Sequence, residues 1–107
     1  MSGNIRTEAL TFYVATVANG DINTLNLPYA FDVVSITTKS ASGTCTLTGK
    51  IDTVALGGTA NSVSSSEQTQ LHTTANEVAV GNDFTLTASA NAACLGMSVT
   101  VKIERQD

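Results

Sequence analysis

Apolar residues recur at every second position through much of the chain, in short runs parted by Gly, Asn, Asp and Ser. A period of two is that of a strand with one buried face, because successive side chains of an extended chain point to opposite sides. The cleanest case is Thr44-Cys45-Thr46-Leu47-Thr48-Gly49-Lys50-Ile51, where Cys45, Leu47 and Ile51 point inward and Thr44, Thr46, Thr48 and Lys50 outward. Met97, Val99, Val101 and Ile103 alternate in the same way with Ser98, Thr100 and Lys102, and Leu10, Phe12 and Val14 share a face that excludes Tyr13. Over 31–38, Phe31, Val33 and Ser35 face one way and Val34 and Ile36 the other, so both faces are expected to be partly buried.

The pattern predicts strands over 10–17, 22–27, 31–38, 44–51, 83–90 and 97–103, with shorter ones near 54–56, 68–73 and 77–80. Asn19-Gly20-Asp21 and Ser40-Ala41-Ser42-Gly43 read as turns, and Gly81-Asn82 as the link of a hairpin between 77–80 and 83–90. Pro28 removes a ladder donor and should stop pairing or mark an edge. Residues 52–74 carry the weakest pattern, with a long polar loop through Asn61-Ser62-Val63-Ser64-Ser65-Ser66-Glu67. No amphipathic helix emerges, since the one candidate, 65–79, has too few apolar positions to form a stripe. The expected fold is all-β: a two-sheet antiparallel sandwich, jelly-roll-like, of about eight short strands. It occupies residues 9–107 as a single domain behind an N-terminal arm, residues 1–8, which reads equally as a frayed terminus.

Composition supports this. The 107 residues include 17 Thr and 10 Ser, about a quarter of the chain, with 13% charged residues and one proline. A branched Cβ suits a pleated surface better than a helical turn. The net charge of −4, with only Arg6, Lys39, Lys50, Lys102 and Arg105 as permanent cations, leaves no basic patch for nucleic acid. No apolar run reaches the roughly 18 residues of a spanning helix, and the first residues lack a signal peptide's apolar segment. A soluble chain, made in the cytoplasm of its host and independent of membranes, is the expectation.

The two cysteines, Cys45 and Cys94, are too few for a disulfide framework or a structural zinc site. They read either as two buried thiols or as one disulfide joining two strands. His72 is the only histidine, and no Gly-x-Ser-x-Gly elbow accompanies Ser64, Ser65 and Ser66. A solvated or interface histidine and a hydroxyl-rich loop are the simpler readings. Asp52, Glu67, Glu77 and Asp83 could supply a carboxylate pair, but nothing in the sequence places any two together. Asp21-Ile22-Asn23 starts like a calcium loop without its remaining ligands. No catalytic, cofactor or metal residue is therefore assigned, and the chain is expected not to be an enzyme.

Several segments have a familiar wording: Thr38-Lys39-Ser40-Ala41-Ser42-Gly43-Thr44-Cys45-Thr46-Leu47-Thr48-Gly49-Lys50-Ile51-Asp52, then Ala75-Asn76-Glu77-Val78-Ala79-Val80-Gly81-Asn82-Asp83-Phe84-Thr85-Leu86-Thr87, and the closing Gly96-Met97-Ser98-Val99-Thr100-Val101-Lys102-Ile103. Together they resemble the small β-sandwich modules in virion proteins of tailed bacteriophages, which occur in fibres and spikes and as free-standing decoration subunits. The resemblance spans 33–103. It implies a viral protein of the virion, assembled as a homotrimer and without catalytic residues. A chain that starts at Met1 and ends just past its last strand is expected to be a free-standing capsid decoration (cement) protein, binding the major capsid protein. The alternative is a receptor- or carbohydrate-binding module of a tail fibre or spike, recognising a host-surface glycan through polar loops around 61–70 and 91–93. A small hydrolase is a third reading, with no catalytic arrangement behind it.

Overall fold

The computed structural model of the protein describes residues 5–106, and every strand pairing in it is antiparallel. Among the described residues nine strands form one hydrogen-bonded sheet: β1 (Ile5–Thr16), β2 (Gly20–Leu25), β3 (Phe31–Lys39), β4 (Ser42–Ile51), β5 (Val54–Ala55), β6 (Asn61–Val63), β7 (Gln68–Leu71), β8 (Glu77–Val78) and β9 (Phe84–Gln106). No helix occurs among the described residues. The fold is all-β, as the alternation requires. The ladder, however, is continuous, where two separate sheets were expected.

β9 organises the sheet. Along one of its edges β1 runs from Ile5, opposite Gln106, to Thr16, opposite Leu95, and β2 continues from Gly20, opposite Ala88, to Leu25, opposite Phe84. Along the other edge β3 runs from Phe31, opposite Arg105, to Lys39, opposite Ser98, and β4 continues from Ser42 to Ile51, opposite Phe84. A straight strand would separate residues 84 and 105 by roughly 70 Å at about 3.3 Å per residue. Yet the rings of Phe31, paired with Arg105, and Phe84 meet edge-to-face at 6.4 Å, and the longest dimension of the molecule is 49 Å. β9 therefore doubles back, and the sheet curls over its own inner face.

The bend lies at 89–96, where Ala90, Ala93 and Gly96 take left-handed φ of 51°, 50° and 61°. Between Val17, whose N–H donates to the Cys94 carbonyl, and Gly20, opposite Ala88, the flanking chain advances three residues while β9 advances six. The surplus leaves the ladder as a bulge, and Asn91 secures it. Its Nδ2 donates to the Val17 carbonyl at 2.7 Å, its Oδ1 accepts from the Cys94 N–H at 3.0 Å, and its own N–H donates to Asn19 Oδ1 at 3.0 Å. On the opposite edge the Ala41 N–H donates to the Leu95 and Gly96 carbonyls.

The predicted turns accordingly become corners. β1 does not pair with β2, nor β3 with β4; each pair lies end to end along β9, so Asn19-Gly20-Asp21 and Ser40-Ala41-Ser42-Gly43 bend the chain without reversing it. The expected 77–80/83–90 hairpin is also absent. Its turn forms, with the Asn82 N–H donating to the Ala79 carbonyl, but β8 pairs with β3 while the start of β9 pairs with β2 and β4. Gly and Asn supply positive φ for bends and reversals alike, so local sequence signals either one. The predicted strands 83–90 and 97–103 are two halves of β9. Of the predicted arm, residues 1–4 lie outside the described residues, while 5–8 extend β1.

One strand, β6, falls in the expected long loop. Asn61 is fully buried, and its Nδ2 reaches the Ile36 carbonyl (2.9 Å), Thr38 Oγ1 (3.3 Å) and the Gln68 carbonyl (3.3 Å) while its backbone pairs with Leu47. A side-chain amide thus joins β4 to β3 and β7 across the curl. The buried side chains form one cluster, with Phe84, Leu86 and Ala88 from the first half of β9 and Met97, Val99, Val101 and Ile103 from the second. Cys45 and Leu47 point inward as the alternation requires, and Ile51 is half-buried. In β3, a bulge between Val33 and Ser35 shifts the inward set from Phe31 and Val33 to Ile36 and Thr38, so one face collects residues the strict period splits between two.

Leu47→Ala is expected to lower the unfolding free energy by about 3 kcal/mol through the cavity it leaves. Asn91→Ala, which removes two side-chain hydrogen bonds at the bend, should cost about 1–2 kcal/mol. Urea denaturation measures both, and a wild-type midpoint for Leu47→Ala would contradict the inward face of β4.

Candidate functional site

At the end where the two ends of β9 converge, the β4–β5 turn and the segment before β8 enclose an open groove of about 400 Å³. Its lining is Ile51, Val54, Ala55 and Ala75 with Asp52, Asn76 and Glu77. Lys50 and Ile51 pair with Ala55 and Val54, which leaves Asp52 and Thr53 as a two-residue turn, with Asp52 at a left-handed φ of 56°. The turn is held to the start of β9: the Asp52 N–H donates to the Asp83 carbonyl at 2.8 Å, and the Asp83 N–H to Asp52 Oδ1 at 3.2 Å.

The other wall depends on Asn76 and His72. Asn76 Nδ2 donates to the Val33 and His72 carbonyls at 2.8 and 2.9 Å, while the Asn76 carbonyl accepts from the Val33 N–H. His72 was expected at the surface or an interface; within the chain it is buried, 4% exposed, with its N–H donated to the Val34 carbonyl. Its Nδ1 lies 2.7 Å from the Gly57 carbonyl and, since a carbonyl only accepts, Nδ1 carries the proton. Nε2 is buried without a hydrogen-bond partner among the described residues. Gly57 packs so tightly on this wall that a Cβ there would collide with the Thr74 carbonyl and Oγ1.

Of the four carboxylates singled out in sequence, Asp52 and Glu77 line this groove and Asp83 is bonded to Asp52, whereas Glu67 borders a separate depression with Thr37, Thr38, Lys39, Ser98 and Thr100. In the outer ladder, Asp32 stands opposite both Glu104 and Glu77, a row of like charges directly across neighbouring strands. This end therefore gathers Asp32, Asp52, Glu77, Asp83 and Glu104 beside an aliphatic floor, with Lys50 and Arg105 on the same strands. That chemistry suits an apolar group with a cationic end, such as a lysine or arginine side chain. Ser64 Oγ bonds the Ser66 backbone and the Ser64 carbonyl accepts from the Ser40 N–H, and His72 takes part in none of these bonds. Asp21 accepts from Thr87 Oγ1 at 2.8 Å. Among the described residues no three of His, Cys, Asp and Glu are grouped to hold a metal ion.

Two further features emerge only in three dimensions. The outer face of β1, β9, β3 and β7 carries a row of threonines, Thr11, Thr100, Thr37 and Thr69, with Thr37 and Thr69 hydroxyls at 2.7 Å and Thr11 and Thr100 at 3.5 Å. Among the described residues β1 pairs only with β9, and no strand of these residues occupies its second edge over the twelve residues of β1. Its start is anchored by Glu8, which accepts from the Tyr29 hydroxyl at 3.0 Å and lies 3.8 Å from Arg105, while Arg105 sits 4.2 Å above the Tyr29 ring. Burial, then the Glu8 hydrogen bond and charge, raise the Tyr29 phenol above its usual range, against the lowering influence of Arg105.

No protein-family model matches the chain, and no curated protein sequence matches it.

Both cysteines are buried thiols, and Cys45 Sγ lies 3.9 Å from Met97 Sδ. Burial, reinforced by its hydrogen bond to and the charge of Cys94, pushes the Cys45 thiol from 9.0 up to about 12. Between these values the unfolded thiol has released its proton and the folded one has not. Unfolding then releases a proton, and folding stability falls as pH rises from about 9 to 12. With reductant present, Cys45→Ala should flatten this decline, measured as urea midpoints across the alkaline range.

Proposed function

We propose that the chain is a structural virion protein of a tailed phage, a capsid decoration (cement) protein that binds the outer surface of the major capsid shell as a homotrimer and stabilises it. The open edge of β1 is the observation that supports this reading most. An unpaired edge presents a row of N–H and C=O groups ready to accept another strand, and natural sheets usually block it with charge or proline. Here Arg6 and Glu8 charge only its start, and Ala9-Leu10-Thr11-Phe12-Tyr13-Val14-Ala15-Thr16 carries neither device. Tyr13, 69% exposed, adds an aromatic anchor on the same strand.

The alternative, a glycan-binding module of a fibre or spike, is less supported. Of the five aromatic residues, Phe31 and Phe84 are buried, Phe12 and Tyr29 are half-buried, and Tyr13 alone stands free for a sugar ring to stack on.

Light scattering should give about 33 kDa for the purified chain, three times 11.0 kDa. Tyr13→Lys, at an exposed site, should keep the wild-type unfolding midpoint while losing both trimerisation and binding to empty capsids. A monomeric wild type, together with capsid binding undiminished in Tyr13→Lys, would overturn docking through β1.

A further inference from the structure

Cys45 and Cys94 are 49 positions apart in sequence but lie together at the bend of β9. Cys45 sits in β4 between Thr44, opposite Ala92, and Thr46, opposite Ser89, where the register slips around the bulge. Cys94 lies on the far side of the same bulge, its carbonyl bonded to Val17 and its N–H to Asn91. Both side chains face the core, 4% and 1% exposed, and belong to the same buried cluster. Two inward thiols on paired strands, flanking the bulge where Ser42 stands opposite Leu95 and Thr44 opposite Ala92, are placed by the ladder for a cross-strand bond.

We propose that Cys45 and Cys94 are a covalent modification site, closed by a disulfide oxidant such as oxidised glutathione into an intrachain disulfide that staples β4 to the bend of β9. Two S–H bonds break and one S–S bond forms. The two electrons and two protons reduce the glutathione disulfide to two thiols, so atoms and charge balance. The closed loop holds roughly 50 residues, long enough for a substantial loss of freedom in the unfolded chain. It contains β5, β6, β7 and β8 and the whole polar stretch between β4 and β9.

The environment also sets when the bond forms. Thiol–disulfide exchange proceeds through the thiolate, and the raised Cys45 thiol leaves roughly one part in 10⁵ ionised near neutral pH. Burial excludes glutathione as well. Closure therefore occurs as the chain folds, or when the bend opens, and the finished bond is shielded from reductants by the same burial. The site is independent of what the protein docks to.

Refolding the full chain from denaturant in excess oxidised glutathione avoids the slow reaction of the folded state. The expected product is a chain lighter by two hydrogens, whose non-reducing digest contains one cross-linked peptide pair carrying Cys45 and Cys94. Its thermal midpoint should exceed that of the reduced protein by on the order of 10 °C. Cys94→Ala and Cys45→Ala should show no oxidant-dependent rise. Native protein recovered with two free thiols, or with glutathione attached to either cysteine, would overturn the proposal, as would a cross-link joining two chains.

Discussion

Asn91 holds β9 in its bend with hydrogen bonds that a ladder cannot supply at that point, since the strand there carries more residues than its neighbours can pair. The bend lets one strand border both halves of the core, and the remaining architecture follows from it. Because β1 and β2 must track the same path as β9, and β3 and β4 likewise, all three segments turn at one level, at 17–19, 40–41 and 89–96. Two of the bends use Gly43 and Gly96 at positive φ, and a Cβ at Gly43 would run into the Ala92 and Ala93 carbonyls. The inner faces of both halves then meet, and Asn61 joins them on the side where the ladder does not close.

The fold class and the inward faces were legible in the sequence because a half-buried strand writes its period directly into side-chain polarity. Leu47, Val99, Val101 and Ile103 are fully buried where the alternation put them. Topology was not legible, because a glycine or asparagine with left-handed backbone serves a reversal and a corner equally, and only the partner strands distinguish them. β6 was missed since its most deeply buried residue, Asn61, is polar; its bonds go to groups of β3 and β7. The bulge in β3 was hidden for a similar reason, one extra residue moving Ile36 to the face of Val33.

The candidate site was less legible still. Asp52, Glu77 and Asp83 stood out as carboxylates, but their convergence depends on the β4–β5 turn, the Asn76 bridges and the start of β9 all meeting at one end. His72, the sole histidine, serves the scaffold instead, since its buried ring ties the Gly57 carbonyl to the end of β7. The open edge of β1 is likewise a property of pairing, which no single strand records. A chain with few charges and many threonines can cover a sheet with short hydroxyl contacts, as Thr37 with Thr69 and Thr24 with Thr85 do, while Asp32, Asp52, Glu77 and Asp83 meet at one end.

The central place of β9 also bears on how the chain comes to fold. Every long strand that precedes it in sequence, β1 through β4, finds its main partner in residues 84–106, and β1 and β2 have no other among the described residues. During synthesis those strands leave the ribosome with open edges and half a core, and pairings across such sequence distances form slowly. The nascent chain can settle only once the last described strand has emerged. Until then its exposed valines and leucines are available to any neighbour, and the same strand that organises the finished sheet sets the length of that vulnerable interval.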